Sequence, residues 1–382
     1  LDAEFATYPF INCAYLFTEV PRRGATRVAP SQLARKREKL RCLLHYFHRV
    51  TEITPTGTVT FTRRRLAGFT PDWSSSTRSF DQLRIHVNAQ GTIEDSGPCT
   101  IHVDFANRYL GGGVLNRGCV QEEIMFMLQP ELIASCLFIE RLADDETVII
   151  EGTEQYSTHS GYGNTFRWAG DFQQSSSNIT RDEWGRWKRT VVAMDATSFS
   201  IRDDQFEPEK MLRELNKAYC GFCDNLAPHR KLPSVVATGN WGCGAFRGNV
   251  YLKALLQMMA CCQAGKSMAY YTFGDVDLRD KLDGWGRWKR TVVAMDATYF
   301  SKSSDQFEPE KLLRELNKAY CGFCDDLAPH RQLPSIVATG NWGCGAFRGD
   351  VYLKGLHTEP INSRICMKEQ VTGLWKLQFT SA

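Results

Sequence analysis

The chain has 382 residues, 43% of them hydrophobic, enough for one large domain or two ordinary ones with a substantial core. No apolar run reaches the roughly 18 to 20 residues that span a bilayer. Its 46 basic and 43 acidic side chains leave a net charge of only +3, without the bulk charge of a nucleic-acid binder. A soluble globular chain is expected, with no membrane association and no direct DNA binding. The first residues, Leu1 to Phe5, show no initiating methionine, basic start or apolar core of an export signal, so a fragment of a longer chain is expected. The fourteen cysteines lie in apolar contexts and read as reduced thiols of a nuclear or cytosolic protein.

In chain order, residues 1 to about 70 mix helix with strand. A helical stretch carries Arg35, Lys36, Arg37, Glu38, Lys39 and Arg41, and a strand over 58–61 precedes Arg63, Arg64 and Arg65. Both basic runs are expected to be solvated faces, with a site that attracts an anionic polymer as the alternative, and this part reads as an accessory segment packed on a main domain. Residues 83–88 and 100–105 alternate apolar and polar as half-buried strands do. Three consecutive glycines, Gly111, Gly112 and Gly113, then suit a loop whose bare amides approach an anionic ligand. Gln121, Glu122 and Glu123 open a helix with acidic residues in its first turn.

Residues 147–152 and 190–195 are short apolar runs suited to buried strands. Pro208 opens a helix through Met211, Leu212, Leu215 and Tyr219 that Gly221 is expected to close. Cys220 and Cys223, repeated as Cys321 and Cys324, read as helix-end thiols beside a capping glycine rather than metal ligands. A strand over 234–238 runs into a second glycine-rich loop from Gly239 to Phe246, then a helix, whose 254–260 stretch is interrupted only by Gln257, and a closing strand over 268–275. Strand, glycine loop and helix are how α/β folds set amides against phosphate at strand ends.

Residues 184–253 recur as 285–354 at a constant offset of 101, with nine differences in seventy positions. The second copy has the helix from Pro309 and the loop from Gly340 to Phe347. No second triple glycine or Gln-Glu-Glu precedes it, and 355–382 is unrelated to the stretch after the first copy. The active site is therefore expected in copy one, with copy two docked on its twin, partly disordered or swapped into its place.

Four blocks occur in order: Val103-Asp104-Phe105-Ala106-Asn107, the segment from Gly111 to Glu123, Gly152-Thr153-Glu154-Gln155-Tyr156-Ser157, and Thr238 to Phe246. Together they resemble the catalytic region of poly(ADP-ribose) glycohydrolases, densely over 80–280 and more loosely before it. The resemblance implies an α/β macrodomain-like mixed sheet flanked by helices, with ADP-ribose across the strand ends. The implied layout is an accessory segment over 1–80, a catalytic domain over 81–283, and a partial repeat with a divergent tail over 284–382. The implied activity is exo-acting release of ADP-ribose by cutting ribose-ribose bonds, with no cofactor and no metal. The implied setting is DNA repair in nucleus and cytoplasm, on the polymer and on ADP-ribosylated proteins, as a monomer.

Residue by residue, Glu123 matches the family's acid/base, and Glu122 and Asp104 match the carboxylates counted with it as catalytic. Asn107 matches a ligand of the terminal ribose, and Ile93, Glu94, Gln121 and Tyr162 match the adenine pocket. Gly112 and Gly113 match substrate-binding positions of the first loop. Asn240, Trp241, Gly242, Cys243, Gly244, Ala245 and Phe246 match the second wall of the diphosphate site, with Phe273 near the scissile ribose. A non-catalytic ADP-ribose reader is the alternative, and the Gln121-Glu122-Glu123 element favours the enzyme.

Cleaving a glycosidic bond needs a proton for the leaving oxygen, stabilisation of an oxocarbenium-like carbon and a water on that carbon. Adjacent glutamates at a helix start project about 100° apart, so one acid/base and one sugar-positioning group is expected rather than a flanking pair. A diphosphate held by both glycine loops would supply the negative charge facing the cation. A helix amino terminus lowers a carboxyl pKa, so burial or the neighbouring carboxylate must raise it for acid catalysis.

Overall fold

The short apolar runs become the middle of one mixed sheet. In chain order the strands are β1 (Thr60–Arg65), β2 (Ile85–Asn88), β3 (Ile101–Asp104), β4 (Glu146–Gly152), β5 (Ser157–Ser160), β6 (Arg167–Asp171), β7 (Trp187–Ala193), β8 (Val235–Gly239) and β9 (Ser267–Tyr271). Seven of them pair in the order β1-β4-β7-β3-β8-β9-β2, while β5 and β6 form a separate hairpin. From β7 to β2 every neighbour is parallel, and β4 and β1 add antiparallel partners at one edge. The computed structural model describes residues 7–17, 30–173, 181–226, 231–281 and 295–323, with 344, 348, 370, 371, 374 and 375. It separates into two units, 1–287 and 288–382.

The helices of the first unit are α1 (Ala14–Phe17), α2 (Pro30–Glu52), α3 (Gln121–Leu128), α4 (Pro208–Phe222), α5 (Val250–Ala264) and α6 (Val276–Lys281). Side-chain alternation shows that α3 and α4 cover opposite faces. Val148, Ile150, Val191 and Ala193 share a core with Ile124 to Leu128 of α3, whereas Thr147 and Val192 meet α4 at Cys220 and Gly221. Strand β3 is therefore buried at every position, not half-buried as its alternation suggests, because a central parallel strand is covered on both sides. Gly221 also departs from expectation. It lies inside α4, which runs on to Phe222, and a Cβ there would stand 2.7 Å from Val192 Cγ1. It is glycine because the helix backbone approaches the sheet closely. Cys220 and Cys223 are both buried there, with Cys220 Sγ against Thr147 Oγ1.

Residues 30–80 do more than sit on the domain. Strand β1 extends the main sheet, and α2 is tied to the β5–β6 hairpin by Trp168 N donating to Glu38 Oε2 at 3.0 Å and by His45 against Asp171 at 3.0 Å. The basic runs are only in part solvated faces: Arg37, Arg41, Arg63 and Arg65 are exposed, while the rest turn inward. Lys36, Glu38 and Lys39 are buried, and so is Arg64, whose Nη1 donates to Cys223 O; Arg63 pairs with Glu146 and Arg65 with Asp145.

In the second unit, α7 (Pro309–Phe323) follows a 3-10 turn over Ser303–Phe307, and β10 (Gln370–Val371) pairs with β11 (Leu374–Trp375). Thr298 donates to Glu315 and Arg314 pairs with Asp296, as Thr197 does to Glu214 and Arg213 with Asp195 in the first copy. None of the nine exchanged positions is buried in the first copy, so the exchanges leave such contacts intact. Of the second glycine loop, Asn341 and its neighbours lie outside the described residues, apart from Cys344.

Candidate active site

The carboxyl ends of the adjacent parallel strands β3, β8, β9 and β2 open on one cleft of about 560 Å³, the usual place for a ligand in an open α/β sheet. Ile93 and Glu94 line it after β2, Phe105 and Asn107 after β3, and Gln121, Glu122 and Glu123 from the start of α3. Residues from Gly239 to Phe246 other than Trp241 line it after β8, Phe273 after β9, and Tyr162 from the hairpin side.

The first glycine loop is turned away from this cleft. Gly111 N and Asn107 N donate to the two oxygens of Glu122 at 2.7 and 3.0 Å; Gly113 N and Val120 N donate to those of Glu123 at 2.9 and 2.8 Å. Gly112 N goes to Tyr109 O. The bare amides that read as a phosphate cradle thus have their anions within the chain, and neither Gly112 nor Gly113 lines the cleft. Gly111 and Gly112 take the left-handed backbone at φ +86 and +47 that turns those amides inward. Gly118 closes the same loop, and a Cβ on it would stand 2.2 Å from Glu123 Oε1.

Asp104 lies behind the glutamates, fully buried and off the cleft surface, and neither of its carboxyl oxygens has a hydrogen-bond partner among the described residues. Burial, and then the Glu123 charge, holds its pKa well above the usual carboxylate range. Glu122 is raised in the same direction by burial, then by Asp104 and Glu123, against the pull of its two amide donors. Burial therefore supplies the upward shift that acid chemistry at a helix start requires, at Glu122 and Asp104.

Gln121 spans the end of β3, with Phe105 N donating to its Oε1 and its Nε2 donating to Val103 O; its own backbone N–H donates to Tyr162 Oη at 3.1 Å. The Tyr162 and Phe273 rings stand 4.8 Å apart over the cleft. Phe273 is 64% exposed at φ +55, a left-handed backbone unusual for an aromatic residue and of the kind that gathers at functional sites.

The second loop has the opposite character. Asn240 anchors it, its Nδ2 donating to Thr272 O and its Oδ1 accepting from Tyr270 Oη, both at 3.0 Å. Trp241, expected in the diphosphate wall, is buried instead: its Nε1 donates to Met194 O, and Lys253 Nζ lies 4.0 Å from its ring centre. Lys253 pairs with Glu214 behind the loop. Among the described residues no protein group accepts from the amides of Gly242, Gly244, Ala245 or Phe246, so four donors border the cleft, as in backbone nests for anions.

Sequence reasoning missed Phe105, His159 and Tyr271 of the lining and, most of all, Lys39 behind the first loop. Lys39 falls in phase with Cys42, Leu43 and Tyr46, and a lysine on the apolar stripe of a helix is the signal that could have found it. Among the described residues no group of three or more His, Cys, Asp or Glu is arranged to hold a metal.

Comparison with known families supplies matches along the chain. The profile described as poly (ADP-ribose) glycohydrolase (PARG), Macro domain fold, matches residues 70–280 and again 274–358; that of the PARG helical domain matches 2–63. Poly(ADP-ribose) glycohydrolase 1 of Arabidopsis thaliana is 34% identical over 346 residues, covering 73% of this chain and 60% of that protein. Poly(ADP-ribose) glycohydrolase 2 of Caenorhabditis elegans is 36% identical over 298 residues, covering 74% and 60%. The chain thus spans about three fifths of the length of these relatives. The crystal structure of poly(ADP-ribose) glycohydrolase bound to the inhibitor ADP-HPD from Thermomonospora curvata aligns at 16% identity over 60% of this chain and 82% of that one, with a TM-score of 0.36, too low to decide anything.

Proposed function

Because the chain belongs to the poly(ADP-ribose) glycohydrolase family, we propose that it cleaves the ribose-ribose glycosidic bonds of poly(ADP-ribose) and releases ADP-ribose. The observation that carries this reading is the pair of glutamates on the cleft, each fixed by two backbone amides, opposite a loop with four free ones. The diphosphate lies on the amides of Gly242, Gly244, Ala245 and Phe246. Ile93, Glu94 and the Tyr162–Phe273 pair border the adenine and ribose ends. Glu123 gives a proton to the leaving ribose oxygen and then takes one from the water that attacks the anomeric carbon. Glu122, whose carboxyl pKa burial raises, holds a ribose hydroxyl by a hydrogen bond, and the diphosphate faces the developing cation.

We further propose the polymer on ADP-ribosylated proteins as substrate, a place in nucleus and cytoplasm, a part in DNA repair and action as a monomer. Incubation of the purified protein with labelled poly(ADP-ribose) should yield free ADP-ribose. ADP-ribose binding without release would replace the enzyme reading with that of a reader.

A further inference from the structure

Helix α2 reaches into the first glycine loop with one side chain. Lys39 is 1% exposed, and its Nζ donates to the carbonyls of Gly113, Asn116 and Gly118 at 3.2, 2.9 and 2.7 Å. An ammonium has three donors, and here backbone carbonyls satisfy all of them. A buried cation whose hydrogen bonds include no carboxylate is costly, and an apolar side chain would fill that face of α2 more cheaply. The three carbonyls belong to the turn that supports Glu123: Gly118 N donates to Gly113 O, and Gly113 N and Val120 N donate to the Glu123 carboxylate.

We propose that Lys39 is a positioning residue for Glu123, closing the 113–118 loop from behind so that the amides of Gly113 and Val120 converge on that carboxylate. This rests on the glycohydrolase reading, and it places the key brace of the acid/base on the helical segment rather than on the macrodomain. Lys39 does not line the cleft, so it acts through the loop and not on substrate. The titratable and charged groups facing it are Cys119 and Glu123 across the interface and Arg35 and Cys42 on its own helix; burial, the largest influence, brings its pKa down to about 8. As pH rises through that value the cation is lost, and a neutral amine with two N–H donors cannot serve three carbonyls.

The test uses the whole chain with Lys39→Met, which keeps the side-chain length and removes the donors. Turnover should fall by up to about 100-fold, the cost of a displaced catalytic group, while KM and ADP-ribose affinity stay within about twofold. The parent should lose turnover above pH 8 through a limb that the variant lacks. Unchanged turnover, or an equal loss in affinity, would reduce Lys39 to a packing residue. Should the variant not fold, the parent serves: hydrogen-exchange protection of the Gly113, Gly118 and Val120 amides should drop between pH 7 and 9.5 while that of β3 holds, and constant protection overturns the proposal. A parent that cuts no polymer overturns the function reading alone, since the exchange measurement still reports on the loop.

Discussion

Loop one, residues 111–118, and loop two, residues 239–248, each carry a parallel strand of the sheet toward a helix, but only loop two brings its glycines to the cleft, while loop one stands behind the glutamates that line it. In loop one the amides of Gly111 and Gly113 are taken by Glu122 and Glu123, supplied by the chain ten or eleven residues on. In loop two the side-chain anion nearest behind the loop, Glu214, is paired with Lys253 and Arg213, and the amides of Gly244 to Phe246 remain for a ligand. Glycine-richness reports that something approaches the backbone closely; whether that is the protein's own carboxylate or a foreign phosphate depends on what the chain supplies nearby. In the proposed function, loop one holds catalytic groups and loop two holds substrate.

The largest effect that would break this division is expected at Glu123. Glu123→Gln keeps the shape of the side chain and one oxygen that can accept from Gly113 N or Val120 N, but its NH2 cannot accept from the other and the amide cannot transfer the proton, so turnover should fall about 100- to 10,000-fold. With the diphosphate on loop two, as proposed, ADP-ribose affinity should change little. Polymer hydrolysis and calorimetric titration on one preparation separate the two; near-parent turnover would move the acid to Glu122 or Asp104.

A pair of glycine substitutions sharpens the contrast. In Gly118→Ala the new Cβ would sit 2.2 Å from Glu123 Oε1 and 2.8 Å from Gly113 Cα, so the carboxylate or the loop must shift. Turnover should drop about 100-fold with ADP-ribose affinity kept. In Gly244→Ala the added methyl meets no protein atom within 4 Å, so any loss reports the ligand itself: affinity should weaken with thermal stability unchanged. If Gly118→Ala instead abolishes binding and spares turnover, the roles of the loops are reversed.

Smaller again is the anchor of loop two. Asn240→Ala removes a donor to Thr272 O and an acceptor for Tyr270 Oη, leaving buried groups unpartnered at about 1–3 kcal/mol. ADP-ribose affinity should fall by a comparable amount as the loop comes loose, whereas Asn341→Ala in the second copy should be silent. Loss of binding on the second substitution alone would show that copy two forms the cleft.

Much of the sheet was legible because buried parallel strands are short continuous apolar runs, and Val148 to Ile150 and Val191 to Ala193 fall where such runs predict. The cleft was legible through the order of its motifs, which is enough to place Glu122, Glu123, Asn240 and Phe273 on one wall or another. What failed shares a cause: orientation. Nothing in a string of glycines says that the amides of Gly111 and Gly113 point inward, nothing in the position of Trp241 says that its indole turns down to Met194 O, and a basic run does not reveal that Lys39 and Arg64 bury their charges on carbonyls. The glycine amides are settled by carboxylates ten or eleven residues on, and Trp241, Lys39 and Arg64 by partners 47 to 159 residues away. Gly221 misled for the same reason, since a helix-closing glycine and one beneath a sheet look alike until Val192 is seen against it.

The smallest expected effect concerns protons, and it too divides the loops. Behind loop two the buried acid Glu214 has cationic partners, while behind loop one Asp104 has none among the described residues and its pKa is raised by burial and by Glu123. An acid whose folded pKa lies above its unfolded value binds more protons in the folded state. It contributes stability that is fully present below the unfolded pKa of about 4 and is lost as pH rises through the folded one. Thermal unfolding of the parent should therefore move to lower temperature between pH 5 and 8, and Asp104→Asn, which cannot ionise, should shrink that drop. A change on the order of 1 kcal/mol corresponds to about 2–4 °C in a domain of this size, so melts at three or four pH values suffice. The Asn side chain also brings donors into a site where Asp104 found no partner, so the slope with pH, not the absolute melting temperature, is the quantity to compare. An unchanged slope would mean that Asp104 keeps no proton in the folded protein, and the carboxyl cluster behind loop one would then have to be as charge-balanced as the one behind loop two.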